Sequence, residues 1–584
     1  MPSRTPSPVP PPQYCAGWVT RGLLDAAGAG VPDALALARE AISGFNNHSL
    51  LPFFLPANNG PNPTPERPSG WNNVTNGGYG QARGHMIYMQ EQGTIKHTLM
   101  AMSAAGTQAD VDAARTLYEE GWWLTALIAE DLTAIYHRQF FSHNYEVTSF
   151  EAMADLYVLT GNTTYLRATL AAWKMLRAHW ILPGGSFALN EGSYYPPDSY
   201  YIGFTGTHVS APHAHAHAGH AAAAGDPYFH AKCMDHPGAE DGVASLRPGV
   251  LAAAAIAAAP AAAGPNDSNP PTGELCGNVF WSLLNQRFHR LWPTNESFVA
   301  EIERSILNVG LAALGDVGSG GEGPNGTGIR YFANQHKHKQ LPAMHASCCE
   351  GQGTRLFGSL PSFLFALVPG AGAPAPALTL SVDVYAESTL AFDVPASCGG
   401  GRGALAVHTA WPAGADAVTV ALTLPAACAD VALSLRMPAW LAGGCQRVAV
   451  NGAAWPACGA PGTYLAVAPA GGWPAGLSTA AFALPMAVTG ARYAGASQLP
   501  PFARYSYLLG PVLLAAQGPW NATADALVMP AGLDPARPQE WMVPAGDGSA
   551  LHFNVSGAPG YTFKPYWEVQ GALELFSNYP AFFE

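Results

Sequence analysis

Charge is scarce in this chain. Asp, Glu, Lys and Arg supply only 11% of it, where a soluble domain carries about 25%. Positive charge is the scarcer sign, with 27 Lys and Arg against 40 Asp and Glu and a net charge of −13. The basic face that binds a phosphate backbone is therefore missing, which argues against nucleic acid as a partner. Long apolar runs are missing as well. The longest, residues 250–264, is mostly alanine, is broken by Pro260, and falls short of the ~20 residues of a membrane span. Met1–Pro12 is rich in proline and holds no apolar leader core. Cysteine is sparse too: nine in 584 residues, too few for a disulfide-built scaffold.

What is present is more telling. A chain of 584 residues exceeds what one core organises, so two or more domains are expected. Eight Asn-X-Ser/Thr sequons begin at Asn47, Asn73, Asn162, Asn266, Asn295, Asn325, Asn521 and Asn554, where chance would give about three. That excess raises the expectation of a secreted or secretory-pathway protein whose leader lies outside this sequence. Cys398, Cys428, Cys445 and Cys458 lie close together and are expected to form one or two disulfides in an oxidising compartment. Cys15 and Cys233 are isolated and read as small buried apolar residues or as chance loop cysteines.

Residues 1–13 read as a disordered segment. From Tyr14 to about residue 370 the apolar spacing is helical. Helices are predicted over Asp110–His137, Val147–Leu159, Thr164–His179, Phe280–Trp292 and Phe298–Leu314. Their lengths and short connections describe an α-hairpin array able to close into a toroid. Residues 206–271 interrupt it with the His213-Ala-His215-Ala-His217 run and an alanine tract, read as a low-complexity insertion with no core of its own. After Pro376 the period changes to two in 377–384, 417–424 and 430–435, the signature of half-buried strands. Asn451-Gly452 adds a strong hairpin signal. Residues 376–490 are expected to form a β-sandwich and 491–584 a second, smaller β-rich region.

Three stretches carry candidate chemistry. The doublet Cys348-Cys349 is the sharpest, since a disulfide between neighbours closes a strained ring. With Glu274 and Cys276 it makes a three-sulfur, one-carboxylate set of the kind that binds Zn²⁺. Glu274 and Cys276 precede the helix predicted from Phe280, and the doublet precedes the segment Gly351–Leu367, so both pairs lie near helix N-termini, which favour anionic ligands. On spacing alone, metal ligation and unrelated buried cysteines remain equally open. Glu191, on the glycine-rich stretch that starts at Gly184-Gly185, is either an acid/base or a solvated loop carboxylate. His143 starts the segment His143-Asn-Tyr-Glu146, which reads on its own as a helix cap.

Together these stretches resemble the zinc-dependent β-L-arabinofuranosidases of glycoside hydrolase family 127 and their relatives. Tyr14-Cys-Ala-Gly17, Leu156-Tyr-Val-Leu-Thr-Gly161, Cys348-Cys-Glu-Gly-Gln-Gly353, Leu435-Arg-Met-Pro-Ala-Trp440, Val450-Asn-Gly452 and Leu509-Gly-Pro-Val512 carry the likeness, which spans about Tyr14 to Ala515. Trp18 stands where a histidine is expected, and Glu-Gly-Gln follows the cysteine pair, so the branch is a divergent one. The resemblance implies an (α/α)₆ six-hairpin barrel followed by β-sandwich domains. It implies Cys348 as nucleophile, Glu191 as general acid/base, His143 as a sugar contact, and Glu274, Cys276, Cys348 and Cys349 as ligands of Zn²⁺. The expected substrate is a β-linked arabinoside, hydroxyproline-linked chains among them, and a homodimer is compatible with it. The competing readings are a closed structural zinc site in a carbohydrate-binding protein without turnover, and a hydrolase or lyase for a different glycoside.

Overall fold

A computed structural model describes residues 22–45, 123–135, 146–185, 273–316, 327–337, 348–370, 375–494, 502–520, 527–569, 576–577 and 581–583, a few single positions within them excepted. The chain divides into two compact units, the second comprising Leu182–Ala188, Tyr201–His208 and Pro260–Glu584. Among the described residues no helix is long and apolar enough to cross a membrane.

The described elements of the first unit are helical: α1 (Ala34–Phe45), α2 (Trp123–Ile128), α3 (Glu146–Thr160) and α4 (Thr163–His179). Apolar spacing anticipated α3 and α4 to within one residue at each end. Val147, Phe150, Met153 and Leu156 of α3 are fully buried, as are Tyr165, Ala168, Ala172 and Leu176 of α4. Each of the larger side chains gains about 1.5–3 kcal/mol by leaving water. Gly161 breaks the pair, and Asn162 restarts it by accepting the Thr164 N–H at 3.0 Å. The long helix expected to reach His137 does not: α2 ends at Ile128, and Glu130 takes the left-handed conformation at φ 55°. A side chain with a Cβ rarely occupies that region, so the chain turns there and resumes as a 3₁₀ turn over Leu132–Ala134.

In the second unit α5 (Leu275–Leu291) starts earlier than the expected Phe280. Every residue from Leu275 to His289 is buried, so no polar face marks its beginning in the sequence. Asn295 accepts the Ser297 N–H and caps α6 (Glu296–Arg304). The expected helix to Leu314 then widens into a π-helical stretch at Ser305–Gly310. Asn162 and Asn295 are both sequon asparagines, and in each the amide oxygen is a helix cap. Phe288, Trp292 and Phe298 pack the α5–α6 corner with ring centroids 5.2 to 6.1 Å apart.

The period-two segments form two sheets face to face. One orders Ala453–Gly459, Gln446–Val450, Gly476–Ala483, Ala417–Leu424, Arg402–Thr409 and Ser388–Asp393. The other orders Thr463–Val467, Val431–Met437, Leu378–Val382 and Phe365–Pro369, with the central two strands parallel. Between them Val418, Val420, Leu422, Leu405, Val407, Leu433 and Leu435 make one core. Asn451 and Gly452 both have positive φ, as the hairpin signal required. Cys398 bonds to Cys428 in that core, and Cys445 bonds to Cys458 across the hairpin. A third sheet orders Val488–Arg492, Ala503–Leu509, Val512–Gln517, Thr562–Pro565, Phe553–Val555 and Met542–Pro544 around Tyr507, Trp541 and Phe563, with Phe576–Ser577, Ala581–Phe583 and His336–Lys337 paired off that path.

Candidate metal centre

Two helix N-termini meet in the second unit. One is the start of α5; the other is the start of α7 (Cys348–Gly358). The chain before α5 is held by two backbone bonds, Leu275 N–H to Tyr331 O at 3.1 Å and Ala333 N–H to Gly273 O at 3.0 Å. Helix α7 lies close because residue 353 has no side chain. A Cβ there would sit 2.8 Å from Ile329 Cδ1 and 2.9 Å from Leu275 Cδ2, inside van der Waals contact.

Glu274, Cys276 and Cys349 come together at this junction. Their ligand atoms all lie within 4.8 Å of one another, and all three residues are completely buried. The Cys276 and Cys349 sulfurs are 3.1 Å apart, and the Cys349 thiol donates to Glu274 Oε1 at 3.9 Å. The N-cap residue of α5 is Glu274, yet its carboxylate makes no capping bond to the helix; it turns toward the sulfurs. Among the described residues this is the one group of three or more His, Cys, Asp or Glu so placed. Its chemistry fits Zn²⁺: thiolates and a carboxylate are its usual donors, and a dication offsets the cost of burying their charge.

The sequence-predicted residues fare differently. Glu274, Cys276 and Cys349 converge as expected. Cys348 begins α7, but its side chain is outside the described residues. Glu191, His143, Trp18, Cys15, Cys233, residues 1–13 with their expected disorder, and the whole of the expected insertion at 206–271 also lie outside them. The turn that leads toward Glu191 is described, and it is anchored firmly. Asn278, one half-turn beyond Cys276, donates to Gly185 O at 2.8 Å, and Asn308 donates to Gly184 O at 2.9 Å. Gly185 has φ +82°, and a Cβ on it would meet Arg304 Cβ at 2.8 Å. The same Asn308 donates to Pro511 O and accepts from Leu513 N–H. That contact gives the Leu509–Val512 motif a structural reason.

Sequence reasoning missed a buried polar cluster among the described residues of this unit. Arg436 is fully buried and bonds Glu296 at 2.7 and 2.9 Å and Glu303 at 2.8 and 3.0 Å. Trp440 Nε1 donates to Glu303 at 2.7 Å. Burial alone would push the guanidinium down; Glu303 and Glu296 outweigh it and hold it above its ordinary value. The motif Leu435–Trp440 was the available signal, and its role is to fasten a sandwich strand to α6. Nearby, Asp383 accepts from Ser381 and Tyr464 and pairs with His289 Nε2 at 3.0 Å.

No family model matches the sequence, and no curated protein matches it either. Solved structures do. A GH127 β-arabinofuranosidase aligns over 97% of this chain and 76% of its own, with 14% identity and a TM-score of 0.56. A GH127 β-L-arabinofuranosidase from Geobacillus stearothermophilus T6 aligns over 98% of this chain and 80% of its own, with 12% identity and a TM-score of 0.56. Helices followed by packed β-sheets, with a buried carboxylate–thiol junction in the second unit, are thus laid out in this chain on the fold of those two GH127 enzymes.

Proposed function

We propose that this protein is a glycoside hydrolase that retains configuration, acts on β-linked L-arabinofuranosides or a related sugar, and uses a cysteine nucleophile. One observation carries the reading: Glu274, Cys276 and Cys349 converge, fully buried, at two helix N-termini of a chain with the GH127 fold. The helical part is proposed to complete an (α/α)₆ barrel. Cys348, adjacent to Cys349 on the first turn of α7, completes the donor set and is the nucleophile. Zn²⁺ bound by these four residues would keep their sulfurs ionised at neutral pH. Only a few per cent of an ordinary thiol of pKa ~8.5 is ionised there, so this is worth at most about 2 kcal/mol. Orientation of the sulfur by its place on α7 is the larger contribution.

In this mechanism the Cys348 sulfur attacks the anomeric carbon while Glu191 gives its proton to the departing oxygen. Glu191 then takes a proton from water as that water cleaves the thioglycosyl bond. His143 orients the sugar. Substrates would be carbohydrate chains, hydroxyproline-linked arabinosides among them. The two disulfides support an oxidising, secretory location. Complete burial of the three donors also suits a closed structural site without turnover. A panel of aryl glycosides that includes β-L-arabinofuranoside, assayed with and without chelator, decides between them. Hydrolysis that chelation abolishes and zinc restores is expected, with alkylation of Cys348 stopping it. Absence of hydrolysis across the panel by zinc-replete protein would leave the structural reading.

A further inference from the structure

We infer that Cys276 and Cys349 form a redox-gated pair, in which zinc and a disulfide compete for the same two sulfurs. The inference rests on the donor assignment above and not on the hydrolase activity. Their separation of 3.1 Å falls between two chemical states. A disulfide needs about 2.04 Å, and the edge of a tetrahedron with Zn–S bonds of about 2.3 Å is about 3.8 Å. Either state is reached by a change of about 1 Å or less in the separation of the sulfurs. The two residues sit at the starts of different helices that already touch through Gly353, so the two sulfurs are brought together by packing that is already in place. Pairing Cys349 with its neighbour Cys348 would instead strain an eight-membered ring.

The same chain carries two formed disulfides, Cys398–Cys428 and Cys445–Cys458. An environment that makes those bonds also presents an oxidant to any other close thiol pair. With a peroxide as oxidant the step balances. One thiolate takes an oxygen from hydrogen peroxide to become a sulfenic acid, and hydroxide leaves. The second thiolate then attacks that sulfur, forming the S–S bond and expelling a second hydroxide. Two thiols and one peroxide become one disulfide and two waters. Zinc withdraws both sulfurs from this reaction, and the disulfide in turn removes two of the metal's donors.

The test uses the full-length wild-type protein. It is treated with chelator and a reductant mild enough to spare the two other disulfides, then exposed to hydrogen peroxide with or without Zn²⁺. Peptide mapping without reduction reads the cross-links, and a chromogenic chelator reads zinc content. The expected result is a Cys276–Cys349 cross-link in the metal-free sample, at least tenfold less of it with zinc, and zinc uptake that returns on reduction. Three results would overturn it: no such cross-link, a cross-link from Cys349 to Cys348, or a yield that zinc does not change. Loss of the hydrolase reading would show instead as an inactive glycoside panel, with the cross-link and its protection intact.

Discussion

The proposed division of labour among side chains has separable consequences at the level of single residues. Removing a sulfur from a buried site leaves the other donors short of a ligand, so Cys349→Ala should lose stoichiometric zinc, read by metal analysis of the dialysed protein. Full zinc content in that variant would remove Cys349 from the donor set. Cys348→Ser should abolish turnover on every substrate, because a hydroxyl of far higher pKa takes the nucleophile's place. Glu191→Gln should behave unevenly. General acid assistance is worth roughly 10²–10⁴ in rate, and it matters most when the leaving group is a poor one. Turnover of alkyl or sugar aglycones should therefore fall by that factor while nitrophenyl glycosides lose far less in their first step. Equal losses on both would take Glu191 out of the acid role.

Among elements, the site depends on how helices and strands are fastened. Arg436 joins the strand Val431–Met437 to both ends of α6 through Glu296 and Glu303. Arg436→Ala would leave two carboxylates buried without their cation, a change that costs about 3–5 kcal/mol. Urea denaturation should show that loss as a lower midpoint. A change below about 1 kcal/mol would mean that water enters and the cluster is not closed. The helix expected over Phe298–Leu314 illustrates why such fastening was hard to read. Its apolar spacing is continuous, but Asn308 is drawn to partners at Gly184, Pro511 and Leu513 that lie far away in the chain. The spacing of α3 and α4 needed no such help, since their buried stripes pack on each other across one short turn.

Across the whole molecule, the third sheet holds a group that couples stability to pH. His552 lies between Asp547, 2.6 Å from Nδ1, and Glu568, 2.5 Å from Nε2. Burial alone would lower its pKa, but the hydrogen bonds and charges of the two carboxylates prevail and raise it. Asp547 is lowered in turn, first by its bond to His552. A raised folded pKa stabilises fully below the unfolded value of ~6.5 and loses that contribution as pH rises through the folded value. The thermal midpoint should therefore fall as pH rises above about 6.5, and His552→Gln should flatten that slope. An unchanged slope in the variant would assign the pH dependence elsewhere.

The residues themselves determined what depends on local physics. Period 3.6 and period 2 marked α3, α4 and the sandwich strands, because burial of one face is written into adjacent positions. Asn451-Gly452 marked its turn, because the required φ angles suit few residue types. The chemistry of Glu274, Cys276 and Cys349 was visible as a set of donors, though spacing alone could not tell ligands from buried cysteines. Only the tertiary structure decided that these three meet within 4.8 Å, that Gly353 is what lets α7 approach, and that Arg436 sits between two glutamates. Each of those facts joins segments distant along the chain, and closing the intervening loops is driven by packing that no local window of sequence contains.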